Sequence, residues 1–290
     1  IMLSVGIPDN ISEIWDKEIV PVTHDLGNNP LFSDDALADL VRHNPDAVRE
    51  IATMDISTED SAHWRDSGLS AADPQSLFSA VRSGALWVNI GHVGGRDIRY
   101  QRLVDGIMDS IDAAVPGQAS FNRQIGILIS SPRARVYYHA DVPGQGLLHI
   151  RGEKRIWLYP GHEPYLKQED FERVVTAVTA EEISYDPSYD EAATVIDLTP
   201  GNGLFWPLNW PHRVVNGDSL NVSATVEYHT RRTRRHFAVT YANGIMRQAF
   251  GVAPRSNAIH GPAYWSKAAI AYACRKTGLG SRLIRAAQNG

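Results

Sequence analysis

The spacing of apolar positions changes twice along the chain. Up to about residue 118, helical intervals dominate. Ser33, followed by Asp34 and Asp35, offers a helix cap ahead of the apolar run ALADLV. Asn44-Pro45 gives a cap-then-proline signal before DAVREIATM and predicts a second helix. Asp73-Pro74 does the same before QSLFSAVRS, which stops at Gly84. Tyr100, Leu103, Val104, Ile107, Met108 and Ile111 recur at helical spacing between Asp97 and Val115, and Pro116-Gly117 ends that helix. Within this region LWVNI, at 86–90, reads as a short strand.

From about Asn122 the texture becomes that of short strands. RQIGILISS, ARVYYHAD, GLLHIRG and KRIWLYP are rich in β-branched and aromatic residues and are separated by Pro or Gly. QEDFERVVTAV interrupts them as a helix. ATVIDL, the PGNG turn and LFWP follow, and Asn216-Gly217 predicts a hairpin joining RVV to SLNVSATVEY. Beyond Thr230 the chain turns helical again through HFAVTYANGIMRQAF, PAYWSKAAIAYACRK and SRLIRAA. The organisation expected is a helical region over 1–118, a barrel core over 119–230 and a helical region over 231–290. The fold class is mainly β with flanking α, an antiparallel jelly roll or cupin barrel wrapped by helices from both ends.

Composition narrows the function without naming it. A formal charge of −5 argues against nucleic acid as the main partner, because phosphate binding rests on surplus Lys and Arg. One basic run, Arg231, Arg232, Arg234 and Arg235, reads as a solvated face, with docking of an acidic partner as the weaker reading. The lone Cys274 excludes an internal disulfide framework and suits a reducing compartment. No signal-peptide pattern and no run of membrane-spanning length is visible, so the expectation is a cytoplasmic protein without a membrane partner.

Candidate chemistry concentrates in HADVPGQGLLHIRGEK, residues 139–154. In an extended strand, side chains at i and i+2 share a face, so His139 and Asp141 can reach one ion while Ala140 faces away. His212, after Pro211 at the head of another strand, supplies a second imidazole. Two His and one carboxylate on one face of a metal, with open positions opposite, is the donor set of non-haem Fe(II) oxygenases. Lys154 opens the strand after HIRGE and can place an ammonium inside the barrel, where a buried cation calls for an anion.

The pattern HADVPGQGLLHIRGEKRIWLYP…GLFWPLNWPHRVVNGDSLNVSATVEY resembles the JmjC-type and cupin-like 2-oxoglutarate oxygenases, nearest their asparaginyl-hydroxylase branch, over roughly residues 120–229. The resemblance implies Fe(II) on His139, Asp141 and His212 as the catalytic and metal residues. It implies 2-oxoglutarate as cosubstrate, its distal carboxylate on Lys154. Gln145 and Thr225 stand where relatives carry Asn beside the cosubstrate. Val136 replaces a hydroxyl residue that helps hold it, leaving Tyr137 or Ser130 as the second anchor. Tyr137, Gln145, Leu147 and His149 share strand parity with Asp141 and are expected to face the cavity, with barrel packing as the alternative for each.

The activity implied is hydroxylation of a C–H bond on a protein or peptide side chain. A small-molecule or amino-acid hydroxylase, a Zn or Mn cupin enzyme, and a non-catalytic regulatory scaffold stay open beside it. In such relatives, flanking helices pair two subunits, which makes the C-terminal helices with Phe237, Tyr241, Ile245, Trp265 and Ile270 a candidate homodimer contact. The remaining histidines, the Gly-rich GHVGGRD at 91–97, and Trp157, Trp206 and Trp210 are set aside as structural, with Trp210 at most a lip of the substrate mouth.

Overall fold

A computed structural model describes residues 5–43, 48–53, 65–66, 74–83, 86–179 and 183–288. In chain order these form β1 (Val5–Gly6), α1 (Ile11–Ile14), β2 (Val20–His24), α2 (Asp34–His43), β3 (Val48–Thr53), β4 (Arg65–Asp66), α3 (Pro74–Ser83), β5 (Leu86–Ile90) and α4 (Ile98–Ala114). The barrel strands follow as β6 (Phe121–Ser130), β7 (Arg135–His139), β8 (Gly144–Arg151) and β9 (Lys154–Leu158). Next come α5 (Gln168–Val175), β10 (Thr194–Leu198), β11 (Asn202–Phe205), β12 (His212–Asn216) and β13 (Asn221–His229). The chain closes with α6 (Arg231–Phe250), α7 (Gly261–Thr277) and α8 (Leu279–Gln288).

Two antiparallel sheets face one another. The larger runs β1-β2-β11-β8-β13-β6-β5-β3-β4 and the smaller β10-β9-β12-β7. Ile156, Leu158, Leu198, Leu204, Trp206 and Val214 pack between them. Outside the larger sheet, α4 buries Tyr100, Leu103, Val104, Ile107, Met108 and Ile111, the stripe its spacing predicts. Each such side chain contributes about 1.5–3 kcal/mol of burial. Outside the smaller sheet, Tyr138, Tyr159 and Phe171 join Ile245 and Ile284 of α6 and α8 in a second cluster. The jelly roll is therefore clamped between helices from both ends of the chain.

Two expectations fail locally. The run DAVREIATM contributes β3, paired with β5 and β4, rather than a helix. Val48 and Ile51, three apart, fit a helical period, and pairing with β5 overrides that local cue; Asn44-Pro45 lies outside the described residues. Asn216-Gly217 does not close a hairpin. β12 pairs with β7 and β9, whereas β13 pairs with β6 and β8, so the chain crosses from one sheet to the other at this point. The Gly217 N–H is taken by the Glu153 carbonyl at 2.7 Å, and the Asn216 amide by Ser130 and Ser131. Those partners belong to other strand ends, which outbid the two-residue turn. β2 was also unforeseen: Val20, Val22 and His24 alternate buried with exposed positions.

Candidate metal centre and cosubstrate cavity

His139 ends β7, Asp141 lies two residues on, and His212 starts β12, where it pairs with His139 across the ladder. Their donor atoms lie within 4.8 Å of one another, and among the described residues no other group of His, Cys, Asp and Glu does this. His212 Nε2 is 3.4 Å from Asp141 Oδ2. His139 Nδ1 is 2.8 Å from the Tyr137 carbonyl and His212 Nδ1 is 3.2 Å from the Trp210 carbonyl. A carbonyl only accepts, so each Nδ1 carries the proton and each Nε2 presents its lone pair inward. Burial, reinforced by His139, holds the His212 imidazole down to about 4, so it is neutral near pH 7, with Asp141 opposing the shift. Asp141 Oδ2 is buried and has no hydrogen-bond partner. A carboxylate oxygen in that condition is costly unless a cation completes it. The donor set, its tautomers and its orphaned oxygen all fit a divalent metal.

The three groups line a cavity of about 350 Å³. Lys154 lines the same cavity and is 5% exposed. Asn216 faces Lys154 across the ladder, as Leu158 faces His212. The backbone positions of His212 and of the residue facing Lys154 are thus four residues apart along one strand, about 13 Å at strand rise, and the long Lys154 side chain shortens the span from its ammonium. The turn that delivers Lys154 needs Gly152, whose φ is +82° and whose Cβ would meet the Leu220 carbonyl oxygen at 2.7 Å. Burial pushes the Lys154 ammonium down to about 7. No carboxylate among the described residues pairs with it. Beside it, Asn216 donates to Ser130 Oγ at 2.7 Å, leaving the Ser130 hydroxyl proton to donate elsewhere.

Tyr137, Gln145 and Leu147 line the cavity, as their parity predicts, and Val136, Ser130 and Thr225 line it as well. His149 does not. It is fully buried, its two ring nitrogens engaged by Ser223 Oγ and by the carbonyl of Gly152, which folds over it. Trp206, set aside from sequence, lines the cavity and packs on His212 with ring centroids 4.7 Å apart. Trp210 packs on Gly161 and is not a lining residue.

Sequence reasoning missed one whole wall. Trp87 and Asn89 of β5, Gly91 and His92 of the Gly-rich loop, and Glu227 near the end of β13 also line the cavity. They meet the triad only because β5 joins the larger sheet beside β6. Asn209, in the left-handed region at φ +62°, was missed as well. Its amide donates to the carbonyl of Asp141 at 2.6 Å and holds that residue in place.

Fold and site together define a cupin-like double-stranded β-helix with a 2-His-1-carboxylate donor set. Residues 93–234 match the family model of the cupin-like domain. Among solved structures, the chain is similar to the Escherichia coli protein YcfD, at 16% identity and TM-score 0.54 over 94% of this chain and 68% of that one. YcfD is described as a ribosomal oxygenase in a complex with cobalt and 2-oxoglutarate (17% identity, TM-score 0.54, 93% of this chain and 67% of that one). A further complex holds cobalt and succinic acid, at 16% identity, TM-score 0.52 and the same coverage. At these identities the likeness establishes the shared fold. Curated protein sequences give no match.

Proposed function

We propose that the protein is an Fe(II)- and 2-oxoglutarate-dependent oxygenase that hydroxylates a C–H bond of a protein or peptide side chain. The observation that carries this reading is the pairing, in one cavity, of an incomplete donor set with a buried ammonium that has no anion. A Zn or Mn cupin accounts for the donors and leaves Lys154 unexplained. A scaffold accounts for neither. The protein side chain as substrate, in preference to a small molecule, is supported by the solved relative described as a ribosomal oxygenase. The single cysteine, buried and free, fits a reducing, cytoplasmic setting; among the described residues no helix is long and apolar enough to cross a membrane.

His139, Asp141 and His212 would hold the metal. Bound Fe(II) with 2-oxoglutarate would supply the oxidising power, decarboxylating the acid to succinate and delivering one oxygen atom to the substrate. The chain's own part is positional. Lys154 and the Ser130 hydroxyl take the distal carboxylate, which assigns the second anchor to Ser130 rather than Tyr137. Asn216 fixes that hydroxyl. Leu128, Leu147 and Val214 keep water from the acid's methylene carbons, and Trp206 limits the swing of the His212 ring. Gln145 and Thr225 flank the cosubstrate, and the wall of Trp87, Asn89, His92 and Glu227 receives the substrate. The deciding experiment measures succinate formed from 2-oxoglutarate in air with Fe(II), against a peptide digest of a cell lysate. The expected result is succinate release with a matching gain of one oxygen on a peptide, lost in His139→Ala. Absent succinate release returns the assignment to the scaffold reading, and release indifferent to metal overturns the role given to His139, Asp141 and His212.

A further inference from the structure

His149 is a buried titratable group that neither the donor set nor the wall of the cavity uses. On β8 it follows Gln145 and Leu147 on the cavity-facing parity, one step beyond the lining, and it is fully buried. Its neighbours Leu147, Leu148 and Ile150 are apolar and buried, so another aliphatic side chain would be the ordinary filler here. The imidazole instead makes two directed hydrogen bonds. The Gly152 carbonyl lies 2.9 Å from Nε2 and only accepts, so Nε2 carries the proton. Nδ1 then presents its lone pair to the Ser223 hydroxyl, 3.0 Å away. This is the opposite tautomer to that of His139 and His212.

Two other roles fit less well. A Ser–His pair suggests a nucleophile and its base. Ser223 is fully buried too, and neither residue lines the cavity, so no substrate reaches that hydroxyl. Nor does the ring serve as a second cation for an acid. Burial, reinforced by the charge of Lys154, holds it down to about 3, and it is neutral near pH 7.

The bond to Gly152 acts on the turn between β8 and β9. Gly152 stands two residues before Lys154 at φ +82°, and a glycine restrains its own backbone least of all residues. The next carbonyl, that of Glu153, is held by the Gly217 N–H at 2.7 Å. Both carbonyls ahead of Lys154 are therefore pinned, one by the backbone of the β12–β13 crossing and one by this imidazole. A lysine carries its ammonium on a flexible four-carbon stem, so its aim depends on where the backbone holds the base of that stem. A supporting shell that leaves a binding group about 1 Å loose is enough to disable a site.

We infer that His149 is the positioning residue of Lys154: its Nε2–H fixes the Gly152 carbonyl, and with it the point from which the ammonium enters the cavity. The Ser223 hydroxyl favours the tautomer that can donate. The consequence for 2-oxoglutarate rests on the function proposed above, whereas the effect on the turn does not.

The test uses the full chain and reads turn and ligand separately. Long-range proton–nitrogen NMR of the parent should report His149 as the Nε2–H tautomer, a measurement that needs no variant. In the ligand-free protein, hydrogen exchange read by mass spectrometry should quicken about tenfold or more at residues 152–155 in His149→Leu, and stay at the parent rate at 135–141. With Fe(II) bound under anaerobic conditions, calorimetry should show 2-oxoglutarate weakened about 10–100-fold in His149→Leu, the range for losing a supporting group. Fe(II) affinity by dialysis should stay within about twofold, because the triad is distant from the turn. His149→Gln, whose amide can donate to the same carbonyl, should restore most of the lost affinity and slow exchange. Four results overturn the inference: the other tautomer or an imidazolium in the parent, parent-like exchange or acid affinity in His149→Leu, Fe(II) and acid affinities falling together, or His149→Gln as impaired as His149→Leu. A parent that binds no 2-oxoglutarate removes the proposed function instead, and the tautomer and the exchange rates then decide the role of His149 by themselves.

Discussion

His212 and Arg213 are neighbours in sequence on opposite faces of β12, and the surroundings of the two faces differ in kind. Outside, the Arg213 guanidinium stacks 3.9 Å over the Trp157 ring and donates to Tyr159 Oη at 2.8 Å and Asp190 Oδ2 at 2.7 Å. Tyr159 and Tyr185 donate to the other oxygen of Asp190. This buried cation has a stacking partner, a phenol oxygen and a counter-ion. Inside, four residues on from His212, Asn216 faces Lys154, a buried cation that no carboxylate among the described residues pairs, and Asp141 keeps an oxygen without a hydrogen-bond partner. Buried polar groups are costly unless satisfied. A complete set of partners on one face marks a structural cluster, and the other face offers three donors suited to a cation and an ammonium suited to an anion.

Substitutions on the two faces should therefore have opposite signatures. The largest effect is at the triad: Asp141→Ala should reduce metal affinity by more than about a hundredfold, beyond the 10–100-fold typical of losing a supporting group. Equilibrium dialysis against Fe(II) under anaerobic conditions reads it directly. Next, Arg213→Ala should lower stability to urea by about 2 kcal/mol. That is less than the roughly 3–5 of a fully enclosed pair, because the Asp190 side chain keeps 38% exposure. Its metal affinity should stay close to the parent's. Lys154→Met should do the reverse, raising the stability of the ligand-free protein by about 1–4 kcal/mol while removing 2-oxoglutarate binding. A destabilised Lys154→Met that still binds the acid breaks the comparison.

Acidity sharpens it further. The Lys154 ammonium is lowered in the folded protein to about 7 from an ordinary 10.5. The folded chain thus binds fewer protons than the unfolded one between those values, so ligand-free stability should rise with pH across that window. Binding of the acid runs the other way, because only the charged ammonium attracts it. Its affinity should fall by up to about tenfold per unit as pH rises above roughly 7, and calorimetry in buffers of different ionisation enthalpy should show proton uptake. The smallest effect is at Asn209→Ala, which frees the Asp141 backbone. Metal affinity should fall about tenfold with little change in stability.

How much of this was legible in sequence depended on whether the signal was local. The i, i+2 spacing of His139 and Asp141 on a strand, and Lys154 at a strand head after a glycine turn, are short-range statements, and the structure brings those residues to one cavity. β3 and the Asn216-Gly217 crossing were misread because a local cue lost to partners supplied by distant strands. The wall formed by Trp87, His92 and Glu227 had no local cue at all. It exists only where β5 and β13 flank β6.

The most direct test is anaerobic calorimetry of 2-oxoglutarate binding to the parent, Asp141→Ala and Lys154→Ala, each with and without Fe(II). One acid should bind the metal-loaded parent, much more weakly without metal and in Asp141→Ala, and scarcely at all in Lys154→Ala. Equal affinity in the parent and Lys154→Ala, or binding indifferent to metal, would contradict a cavity suited to a metal and a dicarboxylic acid.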